Sequence, residues 1–135
     1  LSKTMNEIEI GTVVFTEIDH NFVNRVSNLY LEKINTNFSN RIIWAKNDVG
    51  GYPSPYEVFN EYMTWAVYCL YINDYYSQEE LYNYLPKIES IMNRRGFNNF
   101  NNFNRKLLSK YKSNPNIKMT ELYEFILDWS KDENK

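Results

Sequence analysis

The side chains best suited to chemistry lie in one short run, Thr16-Glu17-Ile18-Asp19-His20. His20 is the only histidine in the chain. If this stretch is helical, at about 100° per residue, Thr16, Glu17, His20 and Asn24 share roughly one quadrant of the helix. That quadrant lies opposite an apolar stripe of Phe15, Ile18, Phe22, Val26 and Leu29, spaced by threes and fours as on an inward helical face. An imidazole beside a carboxylate can hold a metal or move a proton. Two further carboxylates follow one turn apart, Glu57 and Glu61. Glu57 is accounted for by the sequence Ser54-Pro55-Tyr56-Glu57, a helix start with Ser at the cap, Pro first and Glu three residues after the cap. Glu61 lies deeper in a segment read as buried, where an unpartnered carboxylate is costly. It therefore needs a metal, a polar cleft or an arginine such as Arg25 or Arg41. Asn60, Thr64 and Tyr68 would line such a cleft.

The spacing from Thr16 to His20 is that of H-E-x-x-H, in which two histidines at i and i+4 bind zinc and the glutamate activates the bound water. Here threonine stands at the first histidine. The run continues as Asn21-Phe22-Val23-Asn24, and Phe59-Asn60-Glu61-Tyr62-Met63 follows later. On these residues, over about positions 12 to 130, the chain resembles the helical half of a zincin-like metallopeptidase family of unknown function from gut Bacteroidetes. The zinc helix of that family reads H-E-F-x-H-x-F-x-N. The resemblance implies zinc as cofactor, His20 and Glu61 as metal ligands, Glu17 as catalytic base, and Thr16, Asn24, Asn60 and Tyr68 lining the site. It further implies a peptide or protein substrate and a periplasmic or cell-surface place in a bacterium. The threonine breaks the pattern. Catalytic zinc ordinarily needs three protein ligands plus water, and Asp19 points about 100° away from His20. The expectation is a degenerate zinc peptidase, weak or inactive as it stands. The alternative is a non-catalytic helical module that binds a protein or glycan partner.

The elements that must position these residues are helical. The 135 residues are 43% hydrophobic and 17% aromatic, enough for one domain with a substantial core. A formal net charge of −2 gives no footprint for nucleic-acid binding. No apolar run approaches the roughly 20 residues of a transmembrane helix. The lone Cys69 excludes an internal disulfide and reads as a core residue rather than a nucleophile. A start at Leu1, without initiator Met or signal peptide, reads as a fragment of a longer chain.

The expected fold is mainly α: about five helices around a central buried helix, with a possible short strand over residues 7 to 15. The first helix runs from about Phe15 to Ile34, and a polar loop follows over 35 to 54, broken at Gly50-Gly51-Tyr52-Pro53. The central helix, Pro55 to Asn73, is apolar on every side around Trp65 to Ile72. A third helix begins at the capping box Ser77-Gln78-Glu79-Glu80 and is expected to kink or split at Pro86 before ending at Gly96. Two more span about Asn99 to Lys112 and Thr120 to Lys131. The tyrosines Tyr68, Tyr71, Tyr75, Tyr76, Tyr82 and Tyr84 form either core with polar tips or a ligand platform. Arg94-Arg95 suits a helix C-terminus or an anion site.

Overall fold

The central helix is dictated by its sequence. In the computed structural model, which describes residues 21–46 and 54–133, α4 runs Pro55–Tyr75. From Val58 to Leu70 every residue but Trp65 is buried. An α-helix with apolar side chains all round must be enclosed by its neighbours, and the other elements wrap it. Residues 21–27 are helical and pass through a 3-10 turn, Asn28–Tyr30, into α2, Leu31–Asn37. The single-turn α3 is Arg41–Trp44, α5 is Gln78–Arg94, α6 is Phe100–Ser113 and α7 is Met119–Glu133. The described residues contain no strand. The mainly α expectation therefore holds. The possible strand over 7–15 and the break at 50–53 lie outside the described residues.

Aromatic rings fill the space between α4 and its partners. Phe38 stacks on Trp44 at 3.9 Å between centroids and meets Phe59 and Tyr62 edge-on at 5.2 and 5.3 Å. Tyr62 in turn meets Phe97 and Phe103 at 5.7 and 5.2 Å. Edge-to-face pairs of this kind add about 1 kcal/mol each beyond the area they bury. The Tyr62 hydroxyl donates to the Trp44 carbonyl and accepts the Asn99 amide at 3.1 Å, tying α3, α4 and the start of α6 together. Burial pushes its pKa above the ordinary phenol value.

The structure corrects several boundaries. The loop expected over 35–54 contains the end of α2 and all of α3, whose cap is Asn40 accepting the Ile42 amide at 3.1 Å. α5 is continuous through Pro86. Its N-terminus carries both arms of the expected capping box, Glu80 N–H to Ser77 Oγ and Ser77 N–H to Glu80 Oε1, each 3.1 Å. The inward stripe of the first helix is also different. Phe22 is 40% exposed and Leu29 72% exposed, while Val23, Ser27 and Ile34 are buried. The reason is a hydrogen-bond relay across to α7: Ser27 Oγ lies 2.9 Å from Tyr123 Oη, which donates to the Val23 carbonyl at 3.1 Å. A small buried serine lets the tyrosine lie against the helix. Its polarity hid the true face from a count of apolar residues.

The end of α5 is built around one glycine. Gly96 has φ 101°, a left-handed conformation that β-carbon sterics disfavour. Its amide bonds the Asn93 carbonyl and the Phe97 amide bonds the Met92 carbonyl, both at 3.0 Å. These two bonds define a Schellman ending, and the Gly96 carbonyl accepts the Lys46 amide at 3.0 Å. Replacing Gly96 by Ala is expected to destabilise the fold by about 1–2 kcal/mol, read as a lower urea midpoint with unchanged slope. An unchanged midpoint would contradict this account of the turn.

Candidate functional site

The first turn of α4 is fixed by Ser54. Its Oγ accepts the Glu57 amide at 3.2 Å and donates to Glu57 Oε1 at 3.1 Å. Glu57 thus serves the cap, through the serine hydroxyl rather than the serine amide. The next two turns face the helical residues 21–27. Tyr56 Oη donates to Asn28 Oδ1 at 2.6 Å and to the Asn24 carbonyl at 3.3 Å, and Asn60 Nδ2 donates to Asn24 Oδ1 at 2.9 Å. Stepping four residues forward on α4 steps four back on the first helix, so the two run antiparallel here. Asn24 and Asn60, both expected to line the site, are in direct contact. Asn60 is buried, and its Oδ1 finds no hydrogen-bond partner among the described residues. Thr64 and Tyr68 continue the same side of α4, both fully buried. Thr16, Glu17 and His20 lie outside the described residues, and so does Asp19.

Glu61 sits one residue around the helix from Asn60 and is 6% exposed. Its Oε1 accepts Trp65 Nε1–H at 3.1 Å, one turn along α4, and Arg95 Nη2 at 2.7 Å. The cation expected for this carboxylate is therefore an arginine, but Arg95 rather than Arg25 or Arg41. Arg95 is the residue immediately before Gly96, so the Schellman turn aims its side chain back toward α4. Its guanidinium carbon lies 5.0 Å from the centre of the Phe97 ring, and Nη1 approaches Met92 Sδ at 3.5 Å. A guanidinium is more weakly hydrated than an ammonium and stacks on aromatic faces, which suits it to a pair at the edge of a core. Among the described residues no group of three His, Cys, Asp or Glu side chains could hold a metal ion.

Trp65 and Arg95 were not singled out as partners of Glu61 by sequence. The tryptophan was within reach of the helical i, i+4 rule. Arg95 was legible only as a residue at a helix end, because nothing local says that this end abuts Glu61. Cys69, fully buried, accepts a weak hydrogen bond from Asn104 Nδ2 at 3.6 Å. Burial pushes its thiol up to about 12, which removes it as a nucleophile at neutral pH. The tyrosines follow the core reading in part: Tyr68 and Tyr84 are buried, whereas Tyr75 and Tyr82 are exposed.

With this geometry in place, comparison with known proteins gives no assignment: no family model, curated protein or solved structure matches the chain.

Two expectations follow. Arg95→Met removes the cation and leaves a buried carboxylate; it should cost about 2 kcal/mol, below the range for fully enclosed pairs because the Arg95 side chain is 31% exposed. Glu61→Gln keeps an acceptor for Trp65 and leaves a cation that can reach water, so it should cost less. Urea titration of both variants measures the difference, and equal losses would count against the asymmetry. In addition, the Cys69 thiol should react with an aromatic disulfide reagent at pH 8 far more slowly in the native chain than in denaturant. Equal rates would show that Cys69 is not enclosed.

Proposed function

We propose that this chain is a degenerate zincin-like domain in which an arginine, rather than a metal ion, serves the glutamate of the ligand set. The observation that carries the reading is the Arg95–Glu61 pair, 2.7 Å long, on a carboxylate deep in the central helix. A cation at this position is what a third zinc ligand would require, and a guanidinium supplies charge of the same sign. Support comes also from Asn24 and Asn60. Their hydrogen bond joins the helical residues 21–27, which follow Thr16-Glu17-Ile18-Asp19-His20 in sequence, to the helix that bears Glu61.

The residues present do not fit a catalytic zinc. Threonine at position 16 supplies no imidazole nitrogen, and Glu61 Oε1 already accepts from an indole and a guanidinium. Zinc in such a site polarises a carbonyl and lowers the pKa of bound water. Here His20 and Glu61 are too few to hold the ion in that role. Glu17, the general base of the motif, is left without an activated water to deprotonate. The domain on this reading keeps the helical frame of a zinc peptidase and has lost its hydrolytic chemistry.

The test is calorimetric titration with zinc of the native chain, of Thr16→His, and of Thr16→His combined with Arg95→Met. Circular dichroism checks that each variant is folded. The native chain should give no saturating one-to-one heat, and the double variant should bind tightest because it restores two imidazoles and releases Glu61. Tight one-to-one binding by the native chain would contradict degeneracy. No gain in either variant would mean that this helix face is not a zincin face.

A further inference from the structure

Independently of the zincin reading, α6 presents a basic surface to solvent. Asn102, Arg105, Lys106, Ser109, Lys112 and Ser113 recur at spacings of three and four and are all exposed. The helix carries four cations, Arg105, Lys106, Lys110 and Lys112, and no acidic residue. In a chain whose formal net charge is −2, this is a segregated basic face. Beside it, between α5 and α6, lies an open hollow of about 520 Å³ whose lining includes Tyr82, Leu85, Arg105, Leu108, Ser109 and Lys112. Ser109, a small side chain, is among the lining residues of both this hollow and its neighbour. Leu85 and Leu108 form an apolar floor, and the Tyr82 ring, 54% exposed, forms a wall.

Both cations at the rim are already held in place. Arg105 Nε and Nη2 each donate to the buried Glu89 carboxylate at 2.8 Å, while its side chain remains 64% exposed. Lys112 Nζ donates to Gln78 Oε1 at 2.6 Å and to Tyr82 Oη at 2.7 Å. Side chains fixed before binding lose less entropy when a ligand arrives. Among the described residues no carboxylate lines this hollow, and nearby Glu89 is paired with Arg105. A second hollow on the other side of Ser109 is lined by Glu133 as well as Lys106, and its charge is mixed.

We propose that this hollow is a docking site for an acidic peptide segment of a partner protein, one that places a single aliphatic or aromatic side chain over Leu85, Leu108 and Ser109. Its flanking carboxylates would meet Arg105 and Lys112. The observations favour a peptide over two other anionic partners. Three exposed cations on one helical stripe can neutralise few phosphates, and nucleic-acid affinity scales with that number. A membrane-surface helix needs apolar side chains that project into the bilayer, and here the leucines line a concavity. From Asn102 to Ser113 the stripe is about 16 Å long, the span of a short helical or extended segment.

The test pans a displayed library of random dodecapeptides against the whole chain, then measures the enriched peptides by fluorescence anisotropy. Enriched sequences should carry Asp or Glu on both sides of one bulky apolar residue. Binding should weaken at least tenfold in Lys112→Glu, and equally in Ser109→Tyr, which fills the hollow without altering charge. Amide resonances of Tyr82, Arg105, Ser109 and Lys112 should shift on titration. No enrichment, enrichment of sequences without acidic residues, or retention of affinity by both variants would overturn the proposal. So would binding of a single-stranded oligonucleotide, or of phosphatidylglycerol vesicles, with affinity equal to that of the selected peptides.

Discussion

A carboxylate inside an apolar helix sets the terms for the rest of the molecule. α4 is enclosed on all sides, and Glu61 lies within it at 6% exposure. Without a partner that charge would be costly to bury. The partner is supplied from 34 residues away by the end of another helix. This requires α5 to stop where it does, which in turn requires a residue that accepts φ 101° at position 96. The Schellman turn, the stacking of Arg95 near Phe97 and the Lys46–Gly96 bond are parts of one arrangement that delivers a guanidinium to Glu61. A buried pair of this sort is weak evidence for net stability, because both ions lose hydration. It bears more directly on chemistry, since the carboxylate that the zincin reading assigns to a metal is already paired with an arginine.

The other polar groups on α4 follow a different pattern. Tyr56 and Asn60 face the first helix and hydrogen-bond to Asn24 and Asn28. The buried amide oxygen of Asn60 finds no partner among the described residues. Native proteins rarely leave such groups unsatisfied, and this one stands at the junction that the zincin reading assigns to the site. Glu61 and Asn60, neighbours in sequence, thus point to different partners: one to the end of α5, the other to the helical residues 21–27.

How much was legible in the sequence differs between fold and site for physical reasons. The apolar run Trp65 to Ile72, the Ser54 and Ser77 caps and the Phe100–Phe103–Leu107 stripe are local signals, and each lies in the helix where it was read. Signals that depend on what lies opposite were misread. Ser27 is buried because Tyr123, 96 residues on, bonds to it, and an apolar count chose Phe22 and Leu29 instead. Pro86 lies within an unbroken α5, against the expectation of a kink or split. Glu61 was read as needing a metal, a polar cleft or an arginine, since burial of α4 followed from composition alone, and among the described residues its charged partner is Arg95. Which arginine answers that need was a question of topology, and position 95 was visible only as a helix end. The motif residues Thr16, Glu17 and His20 lie outside the described residues.

The central claim is that a guanidinium occupies the place of a cation at Glu61. A crystal structure of the full chain grown in excess zinc, with anomalous data at the zinc edge, tests it most directly. The account predicts Arg95 Nη2 in hydrogen-bond contact with Glu61 Oε1 and no anomalous peak at that carboxylate. A zinc ion about 2 Å from a Glu61 oxygen, with Arg95 displaced, would contradict it.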